Sequence, residues 1–226
     1  METSRAGRPA LEIVVFEGLT PYKKARDEQL SLVERRKIDR APDTLLLVEH
    51  EPVITLGLRA EESGVLASAA YLRDHNIDVH RVERGGKTTY HGPGQVVAYP
   101  ILYLDGLRLG IQSYVSKLEE TMILAAGRMG VESYRREGMI GVFCERGKIG
   151  AIGVRVTKGV CFHGFAFNVA PDLSHYKLIV PCGMNDIPVT SVAEVLGRAP
   201  SFADARGRIA QAFSEAFDME PRFRVS

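Results

Sequence analysis

Apolar positions follow two rhythms along this chain. Residues 11–16, 45–48, 53–56 and 96–104 are short, nearly continuous apolar runs of strand length, and residues 77–82 alternate apolar with polar. After the first run, Thr20-Pro21 reads as a helix cap with proline at the first helical position. Tyr22, Ala25, Gln29, Leu30 and Val33 then recur at helical spacing through a charged segment that runs to about Arg40, where Pro42-Asp43 breaks it. His50-Glu51-Pro52 turns the chain between the second and third runs, and residues 67–76 read as a short helix. The longest helical pattern covers residues 112–128. Tyr114, Val115, Leu118, Met122, Ala125, Ala126 and Met129 share its face, and Gly130 is placed to stop it. Residues 140–144, 148–156 and 160–169, separated by Glu145-Arg146-Gly147 and Thr157-Lys158-Gly159, form a meander pattern. Pro171-Asp172-Leu173-Ser174 opens an irregular piece. Ser191-Val192-Ala193-Glu194 has the form of a capping box and Gly197 ends the short helix it opens. Ser201-Phe202-Ala203-Asp204 opens the last helix, with Phe202, Ala205, Ile209, Phe213 and Phe217 on one face. No repeat, low-complexity tract or long linker divides the chain. Strands and helices mix without strict alternation, so the expected fold is α+β (α/β): a single domain over residues 1–226, its mixed β-sheet flanked by helices.

One stretch departs from both rhythms. Arg84-Gly85-Gly86-Lys87-Thr88-Thr89-Tyr90-His91-Gly92-Pro93-Gly94-Gln95 packs four glycines and a proline into twelve residues and leads directly into the apolar run at 96–104. Glycine lets backbone turn sharply and approach a ligand closely. A basic glycine loop feeding a core strand suits a bound anion or carbonyl. It also suits a hairpin turn with a solvated basic rim, and the residues alone leave both open. It is not a phosphate-binding P-loop: Gly86-Lys87-Thr88 ends like one, but the pattern needs glycine where Arg81 stands.

The chain has 226 residues, 45% of them hydrophobic, which is enough for one large core or two small ones. A net charge of +1 gives no global attraction to nucleic acid or anionic membrane, so neither is an expected partner. Three cysteines, without CxxC spacing, argue against a disulfide framework or a zinc site and for a reducing compartment. The first apolar run is too short for a signal sequence or a membrane span, and the expectation is a cytoplasmic protein. No HxH or HExxH spacing supports a metal site.

Among the cysteines, Cys182 lies in Pro181-Cys182-Gly183, where flanking proline and glycine predict a turn. A cysteine on a turn can serve as a nucleophile; a buried apolar role is the commoner fate. Cys161 in Val160-Cys161-Phe162 reads as sheet packing, and Cys144 stands at a strand end. Lys148 heads Lys148-Ile149-Gly150-Ala151-Ile152-Gly153. It is either a solvated turn lysine beside Arg146 or a cation that lowers the pKa of a neighbouring thiol. His163 reads as a sheet histidine bonded to a backbone carbonyl, and His91 as a group at the glycine loop able to touch a ligand.

Taken together, residues 84–95, Lys148-Ile149-Gly150-Ala151-Ile152-Gly153, His163-Gly164-Phe165-Ala166-Phe167-Asn168-Val169 and Pro181-Cys182-Gly183 closely resemble the lipoyl (octanoyl) transferase family. The four motifs occur in the family's order, and the resemblance is strongest over residues 41–217. It implies the catalytic core shared by biotin and lipoate protein ligases. It further implies an octanoyl-[acyl-carrier-protein]:protein N-octanoyltransferase. Such an enzyme moves octanoyl from octanoyl-acyl carrier protein, through a cysteine thioester, to a lysine ε-amine. The acceptors are lipoyl domains of 2-oxoacid dehydrogenase complexes and the glycine-cleavage H protein. By the same resemblance Cys182 is the acyl-thioester cysteine and Lys148 the lysine that lowers its pKa. Arg84, Gly85, Gly86, Lys87, Thr88, Thr89, Tyr90 and His91, Ala151, Ile152 and Gly153, and Gly164, Phe165 and Ala166 match the acyl-binding segments. No cofactor, no ATP and no metal are expected, and a monomer is. Loop amides are expected to hold the oxyanion, and Arg59, Arg81, Arg84 and Lys87 to meet acidic partner domains. Phe143 stands where tryptophan is common in the family, a change expected on the pocket wall. The alternatives are an ATP-dependent lipoate–protein ligase of the same fold, a cysteine hydrolase, and a silent scaffold.

Overall fold

The computed structural model describes residues 8–180 and 187–225. In chain order the elements are β1 (Ala10–Thr20), α1 (Tyr22–Lys37), β2 (Thr44–His50), β3 (Val53–Leu56), α2 (Ala69–Asp74), β4 (Asp78–Arg81), β5 (Thr88–His91), β6 (Gln95–Ile101), α3 (Ile111–Arg128), β7 (Tyr134–Arg136), β8 (Met139–Cys144), β9 (Gly147–Thr157), β10 (Val160–Asn168), α4 (Val192–Leu196), α5 (Phe202–Phe217) and β11 (Glu220–Val225). Eight strands form a mixed sheet in the order β11-β1-β2-β6-β10-β9-β8-β7, and β4-β3-β5 form a smaller one. β1 runs parallel to β2 and to β11, and the other pairings of the large sheet are antiparallel.

The continuous apolar runs follow from two covered faces. Leu45 and Leu47 of β2, with Val96 and Ala98 of β6, face a core built with Tyr114, Leu118 and Met122 of α3 and Ile209 and Phe213 of α5. The alternate residues Leu46, Val48, Val97 and Tyr99 face the other way, onto Ala25, Leu32 and Val33 of α1. The small sheet has its own core, where Ile54 and Tyr90 meet Leu72 and Ile179.

Local signals in the sequence set several boundaries. The Ser191 and Ser201 side chains accept from the Glu194 and Asp204 N–H groups, and Gly197 closes α4 in the left-handed region at φ 69°. Gly130 follows α3 at φ 88°. Other expectations need correction. Pro21 is the N-cap of α1 rather than its first helical residue: its ψ of 136° is extended. α1 ends at Lys37, short of Arg40, because Asp39 turns left-handed at φ 53° and the Arg40 N–H closes back on the Arg35 carbonyl. Three strands, β5, β7 and β11, lie where no strand was expected.

Candidate active site

The glycine stretch is half strand. Thr88, Thr89, Tyr90 and His91 pair antiparallel with Leu56, Thr55, Ile54 and Val53 of β3, and the turn before them is bonded to neighbouring backbone. The Leu58 and Arg59 N–H groups donate to the Arg84 and Gly86 carbonyls, and the Gly85 N–H donates to Val154 O at 2.9 Å. The Gly85 amide is therefore spent on β9 and is not available to an oxyanion. Gly153 makes this approach possible, since a Cβ there would lie 2.9 Å from Arg84 Cδ and 3.1 Å from Gly85 O.

The two other predicted segments are partners in register. Across β9 and β10, Ala151 faces Ala166, Ile152 faces Phe165 and Gly153 faces Gly164. Small residues opposite one another leave a bare strip of sheet. Over it opens a cleft with about 500 Å³ of empty space, part of it open to solvent. Arg84, Gly86, Lys87, Thr88, Thr89 and His91 line it from the small-sheet side, and Ala151–Gly153 and Gly164–Ala166 from the large sheet. Two residues of the predicted acyl-binding segments stay off the wall, and so does Lys148. Gly85 is held against Val154, and Tyr90 turns into the small-sheet core, its ring 4.8 Å from that of His175. Four wall residues were not expected at the site: Tyr22, Val97 and Tyr99 read as packing positions of a helix and a core strand, and His163 as a sheet histidine.

Beside the cations Arg84 and Lys87, the wall carries His91, which is neutral and oriented. His91 Nδ1 lies 2.7 Å from Gln95 Oε1, while Gln95 Nε2 donates to Asn168 Oδ1, and Asn168 Nδ2 donates to the Thr190 carbonyl. That chain of donors assigns the proton to His91 Nδ1 and leaves Nε2 a lone pair. His50 is likewise fixed: Nδ1 faces the Thr20 carbonyl and Nε2 lies 2.7 Å from the Tyr99 hydroxyl. Burial pushes His91 down to about 3, with His50 adding to the effect, and pushes His50 and His163 down to about 4. His163 differs from its sequence reading. It takes the left-handed region at φ 55°, its backbone N–H donates to Gln29 Oε1, and among the described residues its buried Nε2 has no hydrogen-bond partner. Arg84 is buried as well, bonded to the Thr55 carbonyl and hydroxyl, so it is no surface contact for a partner. Arg59, Arg81 and Lys87 are exposed.

Lys148 is not a solvated turn lysine. It is 8% exposed, its Nζ donates to the Ile140 carbonyl at 2.9 Å, and the Phe143 ring lies 5.4 Å away. Phe143 is fully buried and absent from the cleft wall, so it packs against this ammonium instead of shaping a pocket. Cys182 and its Pro181–Gly183 turn lie outside the described residues. The chain on either side of them is anchored. Val180 N–H donates to the Gly64 carbonyl, Lys148 N–H donates to the Pro188 carbonyl, and Thr190 N–H donates to the Lys148 carbonyl. Cys144 and Cys161 are buried, and burial pushes the Cys161 thiol up to about 12. Among the described residues no cluster of His, Cys, Asp or Glu is arranged to hold a metal ion, and no helix is long and apolar enough to cross a membrane.

Comparison with known proteins adds a second line of argument. Residues 21–214 match the Lipoyl protein ligase A/B catalytic domain family. The chain is 42% identical over 208 residues to an octanoyltransferase of Alkaliphilus metalliredigens, covering 92% of this chain and 95% of the relative. It is 44% identical over 212 residues to an octanoyltransferase of Chloroflexus aurantiacus, with the same coverage of 92% and 95%. In fold it is similar to a lipoate-protein ligase A crystallised with ATP, with a TM-score of 0.72 at 16% identity over 97% of this chain and 89% of that one.

Proposed function

The chain belongs to the lipoyl protein ligase A/B catalytic-domain family, and within it to the octanoyltransferases, and on that premise we propose a two-step transfer through Cys182. The donor is octanoyl-acyl carrier protein and the acceptor a lysine ε-amine on lipoyl domains, those of 2-oxoacid dehydrogenases and the glycine-cleavage H protein. In the first step the Cys182 thiolate attacks the thioester carbonyl, a new S–C bond forms, and the carrier thiol leaves with a proton. In the second the lysine amine attacks the acyl-cysteine, the amide C–N bond forms, the Cys182 thiolate departs, and the amine gives up its proton. The first exchange is nearly balanced and the second is downhill, so no ATP enters.

The observation that carries this reading is the cleft. The 84–91 segment meets the paired segments Ala151–Gly153 and Gly164–Ala166, distant from it in sequence, at one bare strip of sheet. Burying the seven carbons beyond an octanoyl carbonyl against such a wall is worth up to about 6 kcal/mol, at about 0.8 kcal/mol per carbon. Lys148 supports the chemistry. Its ammonium is sheltered rather than solvated, and the chain six residues past Cys182 is bonded to its own backbone. In this reading Lys148 is the cation beside the Cys182 thiol, and such a neighbour lowers a thiol's pKa from about 8.5.

The protein, octanoyl-acyl carrier protein and apo lipoyl domain, mixed without nucleotide, should yield a lipoyl domain heavier by one octanoyl group. Cys182→Ser should abolish this. Strict dependence on ATP and free fatty acid would move the assignment to the ligase reaction.

A further inference from the structure

Lys148 is aimed by a peptide group, and that group is itself held. Glu119, on α3, is 8% exposed, and its Oε1 accepts from the Gly141 N–H at 3.0 Å. Its Oε2 accepts from Arg135 Nε at 3.2 Å. The Gly141 N–H and the Ile140 C=O are two ends of one peptide unit, and the Ile140 oxygen is the one that takes the Lys148 ammonium. A peptide unit is planar and rigid, so fixing its N–H fixes the direction of its C=O. The carboxylate at one end and the ammonium at the other polarise the unit in the same sense.

Gly141 is needed for this arrangement. Its φ is +119°, and a Cβ there would stand 2.5 Å from Gly150 O and 2.7 Å from Lys148 Cε. The Phe143 ring forms the other side, with the Lys148 Nζ at 5.4 Å and the Arg136 guanidinium at 5.1 Å from its centroid.

We infer that Glu119 is a positioning residue for Lys148, acting through the Ile140–Gly141 peptide. In this role it acts through the peptide and not by contact with substrate or thiol. Its work is to hold one carbonyl so that the ammonium stays at one place on β9 instead of searching its rotamers. The inference rests on the reading of Lys148 as the partner of the Cys182 thiolate.

The readout is the rate at which iodoacetamide alkylates Cys182 near neutral pH, followed by mass spectrometry of that peptide, in Glu119→Leu, Lys148→Met and the double variant. Lys148→Met should slow alkylation by up to about tenfold for a thiol pKa moving back by about one unit, the higher nucleophilicity of the more basic thiolate offsetting part of the loss. Glu119→Leu should slow it about three- to tenfold. The double variant should be no slower than Lys148→Met, because Glu119 has nothing left to aim. Glu119→Asp, one methylene shorter and gentle on the fold, should show the same dependence on Lys148 with a smaller loss. Glu120→Gln removes a carboxylate that bonds Arg135 but not Gly141, and should leave the rate unchanged. Slowing that multiplies in the double variant, or equal slowing in Glu120→Gln, would overturn the positioning role while leaving Lys148 in place. A wild-type rate in Lys148→Met would remove the reading beneath it, and the inference with it.

Discussion

Gly164 shows how one missing side chain shapes the cleft. It sits opposite Gly153, and a Cβ built on it would press on the Ala98 carbonyl and come within 2.6 Å of Pro100 Cδ. The obstacle is β6 backbone and a proline ring, neither of which can step aside as a flexible side chain would. Gly164→Ala is therefore expected to push β10 off β6 and to destabilise the protein by about 1–3 kcal/mol, as overpacking does. A urea midpoint lower than wild type at unchanged slope checks it. Position 164 was singled out in the sequence only through family likeness. His163 beside it gave no sign of lining a cleft. Its left-handed backbone and its place on the wall depend on Gln29 and the α1 face, more than a hundred residues away in sequence. Lys148 was equally ambiguous, because its shelter is made by Phe143 and by a carbonyl on the neighbouring strand.

Elements were legible where their signals were local. Ser191, Ser201 and Gly197 act within one helical turn, and the meander β8–β9–β10 carries its own turns. β5 was hidden because Thr88–His91 looks like loop and becomes a strand only by pairing with β3, some thirty residues upstream. β11 was hidden because Glu220–Val225 is charged and carries a proline, and it forms only against β1. The join between α1 and the large sheet is likewise non-local and can be tested. Asp43, at the entry to β2, accepts from Arg36 Nε at 2.7 Å and from the Tyr103 N–H at 2.9 Å, and the Arg36 guanidinium lies over the Tyr103 ring. Both side chains of the pair are largely buried. Asp43→Ala leaves Arg36 Nε and the Tyr103 amide without their acceptor, while Arg36 Nη1 keeps Asp39, and should cost about 1–3 kcal/mol, as unsatisfied buried donors do. Thermal unfolding read against wild type gives the value, and a loss under about 1 kcal/mol would show that Asp43 does not clamp the helix.

The whole molecule carries a pH dependence that its near-neutral charge does not suggest. His50, His91 and His163 are buried as neutral imidazoles, with pKa values pushed down to about 4, 3 and 4. Unfolded, each titrates near 6.5. Below that value the unfolded chain takes up protons that the folded one refuses, so stability is full above about pH 6.5 and falls as pH drops toward 4. Each histidine can withdraw up to about 1.4 kcal/mol per pH unit in that window. Calorimetry at pH 7, 6 and 5 should show a falling melting temperature, and the fall should lessen in His50→Phe if that ring's neutrality is part of the cause. A flat profile would mean that the imidazoles take up protons as readily in the folded protein as in the unfolded chain.

The parallel pairing of β1 with β11 sets an order of events during synthesis. Ala10 lies opposite Glu220 and Val14 opposite Arg224, so one edge of β1 waits for a partner about two hundred residues later. At about 5–20 residues per second a ribosome needs about 10–40 s to cover that distance. Through that interval β2 and β6 can assemble on the inner edge of β1, while its outer edge offers unpaired amides and carbonyls to any other strand. The nascent chain is thus most open to wrong pairing at β1, and emergence of β11 closes that window.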